Sequence, residues 1–105
     1  MVRYQAVAKV ADVPPGTMRG YRVGARDVLI ANVGGDLVAM EDVCTHAQCN
    51  LSEGDMEDDN VICPCHGGEF NLRTGQVEVG PPDAPLDVFY VRVQGDAIEV
   101  GFPEA

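Results

Sequence analysis

Residues 28–40 read Val28-Leu29-Ile30-Ala31-Asn32-Val33-Gly34-Gly35-Asp36-Leu37-Val38-Ala39-Met40. Two apolar, β-rich runs flank a glycine step, which predicts a hairpin of strands Val28 to Val33 and Leu37 to Met40 about Gly34-Gly35-Asp36. The same grammar recurs on both sides, and helical periodicity is hard to find. Upstream, Tyr4 to Lys9 alternates as a half-buried strand, Pro14-Pro15-Gly16 interrupts it, and Met18 to Val23 resumes. Downstream, Glu69 to Leu72 and Gln76 to Val79 bracket Arg73-Thr74-Gly75, and Val88 to Val93 faces Ala97 to Val100 across Gly95-Asp96. About nine short strands separated by turn residues predict an all-β fold, an antiparallel sandwich or small barrel. Gly80-Pro81-Pro82-Asp83-Ala84-Pro85 should form a stiff loop between strands.

The chain of 105 residues, 46% hydrophobic, suffices for one compact domain over 1–105. Seven Lys and Arg against 17 Asp and Glu give a net charge of −10, which argues against nucleic-acid binding. It suits a self-repelling carrier or a partner with a basic patch. No apolar run approaches the roughly 20 residues of a membrane span, and the opening Met1-Val2-Arg3-Tyr4-Gln5-Ala6-Val7 alternates where a signal peptide would be continuously apolar. A cytoplasmic protein with no membrane partner is the expectation. The acidic stretch Glu53-Gly54-Asp55-Met56-Glu57-Asp58-Asp59 reads as a solvated turn in preference to a docking patch.

All 4 Cys and both His fall between Cys44 and His66. One loop carries Cys44-Thr45-His46-Ala47-Gln48-Cys49, and another Ile62-Cys63-Pro64-Cys65-His66-Gly67-Gly68. Each offers a thiolate and an imidazole, Cys44 with His46 and Cys63 with His66, and each follows a strand end, so the two can converge on one metal. Two thiolates and two imidazoles suit tetrahedral zinc. They equally suit a Rieske [2Fe-2S] centre, in which two His replace two Cys on one iron. The second cysteines, Cys49 and Cys65, stand at matching places in both loops, and a zinc site has no evident use for them.

These motifs, C-T-H-x-x-C with C-P-C-H-G, closely resemble the Rieske iron–sulfur family. The likeness extends to Glu53-Gly54, to Phe70-Asn71-Leu72-Arg73-Thr74-Gly75 and to the proline loop, all similar to soluble Rieske ferredoxins. The resemblance implies a Rieske-like fold with a small cluster-binding subdomain, about residues 41–80, formed by two loops. It implies one [2Fe-2S] cluster, with Cys44 and Cys63 on the inner iron and His46 and His66 on the outer iron, their free nitrogens toward solvent. Membrane Rieske proteins bridge their ligand loops at the places of Cys49 and Cys65, which implies a disulfide there; many soluble ferredoxins have other residues at these places, and a pair of free thiols is the competing reading. Such a bridge would restrict the unfolded chain by roughly 3 kcal/mol. Thr45, Gln48, Gly67, Gly68, Phe70, Pro81 and Pro82 would surround the cluster, the proline loop covering its third side.

Mixed ligation sets the charge. Two ferric ions and two sulfides sum to +2, two thiolates cancel this, and neutral imidazoles add nothing, so the centre is 0 oxidised and −1 reduced. Reducing a neutral centre is easier than reducing the dianion that four thiolates make, which is why Rieske potentials span about −150 to +300 mV against about −400 mV in plant-type ferredoxins. High-potential Rieske proteins usually have Ser and Tyr where this chain has Gly68 and Phe70; without their hydroxyls on sulfur the potential should fall in the lower part of that range.

Outside the cluster, no nucleophile has an identifiable base partner, which leaves no substrate chemistry to assign. The resemblance therefore implies an electron carrier and not an enzyme in itself: the ferredoxin component of a multicomponent aromatic ring-hydroxylating dioxygenase of the biphenyl or carbazole type. Its partners would be an NAD(P)H-dependent flavoprotein reductase and a terminal oxygenase, met by a monomer in transient complexes. The docking face would be the cluster tip, His46, His66, Ala47, Gln48, Gly67, Gly68 and Pro82. The competing readings are a Rieske small subunit of another oxidoreductase and a Cys2His2 zinc-stabilised binding module.

Overall fold

The computed structural model describes residues 2–45, 49–65, 67–80, 82 and 84–103. Ten strands lie among them: β1 (Val2–Lys9), β2 (Met18–Val23), β3 (Arg26–Val33), β4 (Asp36–Glu41), β5 (Asp55–Glu57), β6 (Asn60–Ile62), β7 (Glu69–Asn71), β8 (Val77–Val79), β9 (Val88–Gln94) and β10 (Ala97–Pro103). They form a six-stranded sheet in the order β1-β10-β9-β4-β3-β2 and a four-stranded sheet in the order β5-β6-β7-β8. Every pairing is antiparallel. The all-β expectation holds. Among the described residues no helix is long and apolar enough to cross a membrane.

The hairpin of residues 28–40 forms with Val33 opposite Asp36, so the turn is Gly34-Gly35 and Asp36 belongs to β4. Both glycines take positive φ, 63° and 103°, a region closed to most side chains. Asn32, 5% exposed, accepts from the Gly35 N–H at 2.8 Å and donates to the Val13 carbonyl at 2.9 Å. Its amide thereby ties the turn to the β1–β2 connection.

Period-two alternation along β3 sends its side chains into two separate cores. Val28 and Ile30 pack with Val13, Ala39, Phe89, Ile98 and Val100. Leu29, Ala31 and Val33 face the small sheet and pack with Met40, Leu51, Val61, Phe70, Leu72, Leu86 and both Cys44 and Cys63. The second core therefore joins the sheet to the metal-ligand region, and the cysteines are part of it.

The structure departs from the sequence reading in the acidic segment. Residues 55–57 are a strand, paired with 60–62 about an Asp58-Asp59 turn in which Asp58 takes φ 52°, a conformation that Asp tolerates better than most residues. The region around the ligand loops is thus not built from two loops alone: a four-stranded sheet carries them. Other bounds also move: β7 ends at Asn71 and β8 begins at Val77, while β1, β3, β4, β9 and β10 each run one to three residues beyond the expected strands.

Candidate metal centre

Two loops at one end of the small sheet carry the cysteines. The first leaves β4 and returns to β5. At its base Val43 bridges Asn50, the Cys44 N–H donates to the Cys49 carbonyl at 2.9 Å, and the Leu51 N–H donates to the Asp42 carbonyl at 2.6 Å. The second joins β6 to β7, which pair as Ile62 opposite Glu69. Within it the Cys63 N–H donates to the Gly68 carbonyl at 2.7 Å and the Gly67 N–H to the Cys63 carbonyl at 3.1 Å, a tight reversal for which Gly67 takes φ 71°.

A disulfide joins Cys49 to Cys65 across the loops, with Cα atoms 6.4 Å apart. Cys44 and Cys63 take no part in it, and they are only 3% and 2% exposed. Gly54, at the exit of the first loop, lies against the Ile62 carbonyl and the Pro64 ring too closely for any Cβ. That contact gives a physical reason for glycine after Glu53. Iron-free protein, denatured without reductant, should take up two alkyl groups on intact-mass analysis and four after reduction. Four before reduction would mean the loops are not bridged.

Described residues of the proline loop pack against both cysteine loops. A Cβ on Gly68 would fall 2.6 Å from Pro82 Cδ, and the Thr45 hydroxyl donates to the Ala84 carbonyl at 2.8 Å. The Leu86 N–H then donates to the Gly75 carbonyl at 2.8 Å. Thr45 therefore spends its hydroxyl on the loop, clamping the first cysteine loop to it. Gly68→Ala should force Pro82 outward and cost roughly 1–3 kcal/mol as overpacking. A thermal melt unchanged from the parent protein would contradict that packing.

His46, Ala47, Gln48, His66 and Pro81 lie outside the described residues. Of the rest of the expected docking tip, Gly67 is exposed, whereas Gly68 and Pro82 are buried and present little surface. Phe70 is 0% exposed and shares the core of Cys44 and Cys63, with no hydroxyl to offer a sulfur.

Asp42 was not singled out in the sequence. Its carboxylate is 1% exposed and accepts from the Ser52 N–H at 2.7 Å, the Ser52 hydroxyl at 2.6 Å and the Asn50 amide at 3.0 Å. Three donors offset the cost of burying the charge. A lone Asp before Cys-x-His has no periodicity or spacing that marks it; its partners, eight and ten residues on, meet it only when the loop closes. Next to it, burial first and Asp87 second raise the Glu41 pKa, with Arg26 opposing.

The donor chemistry fits an iron–sulfur centre. Two buried thiols outside the disulfide sit in one core on loops cross-linked side by side, and buried thiolates need a cation to neutralise them. Cys44 and Cys63 would hold the inner iron, and His46 and His66 the outer one.

A family model described as the Rieske [2Fe-2S] domain matches residues 3–90. The biphenyl 2,3-dioxygenase ferredoxin component of Rhodococcus jostii (strain RHA1) is 39% identical over 94 residues, covering 90% of this chain and 88% of that protein. Ferredoxin CarAc of Metapseudomonas resinovorans is 42% identical over 95 residues, covering 90% and 89%. Among solved structures, a chain in the complex of reduced oxygenase and oxidised ferredoxin of carbazole 1,9a-dioxygenase superposes with a TM-score of 0.86 at 41% identity, covering 92% of this chain and 91% of that one.

Proposed function

The chain belongs to the Rieske [2Fe-2S] family, and from that premise we propose that it is a one-electron carrier, the ferredoxin component of an aromatic ring-hydroxylating dioxygenase system. It accepts electrons from an NAD(P)H-dependent flavoprotein reductase and delivers them to a terminal Rieske non-heme iron oxygenase. The observation that carries the reading is the buried Cys44 and Cys63 pair on two bridged loops, in a chain 41% identical to one in a ferredoxin–oxygenase complex. When bound, the [2Fe-2S] centre takes up and releases one electron.

The chain's residues do the rest. Cys44 and Cys63 are fixed by core packing, the disulfide and the Thr45 clamp limit movement of the loops, and Pro82 lies against Gly68 of the second loop. Rigid ligands suit electron transfer, because little reorganises when the charge changes. The outer ligands His46 and His66, with Ala47, Gln48 and exposed Gly67, form the docking tip. A net charge of −10 keeps copies of the carrier apart and steers it toward basic surfaces, consistent with a monomer that forms transient complexes. Substrate oxidation belongs to the oxygenase, and this chain is no enzyme by itself.

An omission assay tests the proposal. With NADH, the reductase, the oxygenase and an aromatic substrate, dihydroxylated product should form at a rate proportional to this protein when it is limiting. Product formation unchanged by leaving it out would overturn the role.

A further inference from the structure

We propose that Asp42 is a positioning residue for the iron–sulfur centre: its buried carboxylate sets the path of the first cysteine loop and thereby the place of Cys44. The inference rests on the Rieske reading above.

The loop is held at two places. At its far end the disulfide fixes Cys49. At its base Asp42 gathers four donors from residues 50–52: its carbonyl takes the Leu51 N–H, and its carboxylate takes the Asn50 amide and both donors of Ser52. The Asp42 N–H in turn donates to the Asp27 carbonyl at 2.9 Å, anchoring the base to β3. Cys44, two residues on, must follow, since consecutive Cα atoms are about 3.8 Å apart.

β2 is shaped around the same group. A Cβ on Gly20 would lie 2.6 Å from Asp42 Oδ2, so glycine there leaves room for the carboxylate and Ser52 to meet. Two carboxylate oxygens accept all three donors, whereas an amide in the same place would turn its NH2 toward one or more of them. A loop held by these donors sets where the Cys44 backbone lies, and a change in that path would alter the ligand geometry that tunes the centre.

The test compares reconstituted wild type with Asp42→Asn, Ser52→Ala and Val100→Ala. Val100→Ala truncates the other core and serves as a destabilised control. The wild type must first give a Rieske spectrum; a colourless wild type would sink the functional reading and this inference with it, whereas a Rieske wild type leaves only the role of Asp42 in question. Asp42→Asn should shift both the midpoint potential and the g values of the reduced protein in electron paramagnetic resonance. Val100→Ala should melt earlier with both unchanged. If Asp42→Asn does not load, Ser52→Ala decides, with the expected result a smaller shift in the g values. Potentials and g values equal to wild type in whichever of the two loads, even with a lowered melting temperature, would reduce Asp42 to an ordinary structural tie and overturn the proposal.

Discussion

Replacing either buried cysteine outside the disulfide, Cys44→Ala or Cys63→Ala, should leave protein that folds but contains no iron–sulfur centre. Each thiol is almost wholly buried in the core that joins β3 to the small sheet, where alanine removes one sulfur and little else. The fold then loses roughly the value of a small core truncation, about 1–2 kcal/mol, while the proposed centre would lose one of its two protein thiolates. Iron content and visible absorbance after reconstitution should both fall to background, with circular dichroism still showing strand. A variant that kept its iron and colour would exclude that cysteine as a ligand.

Phe70→Ala should have the largest effect on the fold itself. Phe70 is among the largest side chains with no exposure, and it stands on β7 immediately after the second cysteine loop. Its ring fills the space between the small sheet and Leu29, Met40 and Leu72. Emptying that space should cost about 3–5 kcal/mol, a large share of the 5–15 kcal/mol typical of a domain. Phe102 offers the comparison, since it is half-buried and meets Phe89 edge-on with centroids 4.9 Å apart. Urea denaturation should therefore place Phe102→Ala well above Phe70→Ala in midpoint. Equal midpoints would mean that the small sheet does not depend on the shared core.

Local signals in the sequence account for the parts of the fold that close over short distances. Gly34-Gly35 and Gly95-Asp96 each sit between runs that pair directly, Val33 with Asp36 and Gln94 with Ala97. The pairing of β1 with β10, and the short seam of Ala39 with Phe89 and Met40 with Val88 that joins two hairpin units into one sheet, depend on contacts between distant segments that no local pattern encodes. β5 and β6 were hidden for a different reason. Each has three residues and at most one well-buried side chain, Met56 or Val61, so acidic neighbours dominate the pattern.

The centre divides in the same way. Cysteine and histidine are rare and their spacing is specific, so the candidate ligands stand out in the sequence. Their support does not: Asp42 with Ser52, Gly54 against Pro64, and Gly68 against Pro82 are contacts between common residues brought together only by the folded loops. Family resemblance could mark Gly54, Gly68 and Pro82 as places of interest, and the structure supplies the close approach that excludes a side chain at the two glycines.

One measurement bears most directly on the account: a coulometric titration of the purified protein at neutral pH, followed by its visible spectrum and referred to its iron content. The account expects red-brown protein with two irons per chain that takes up one electron, at a midpoint below zero in the lower part of the Rieske range of about −150 to +300 mV. Colourless protein that holds zinc and accepts no electron would contradict it.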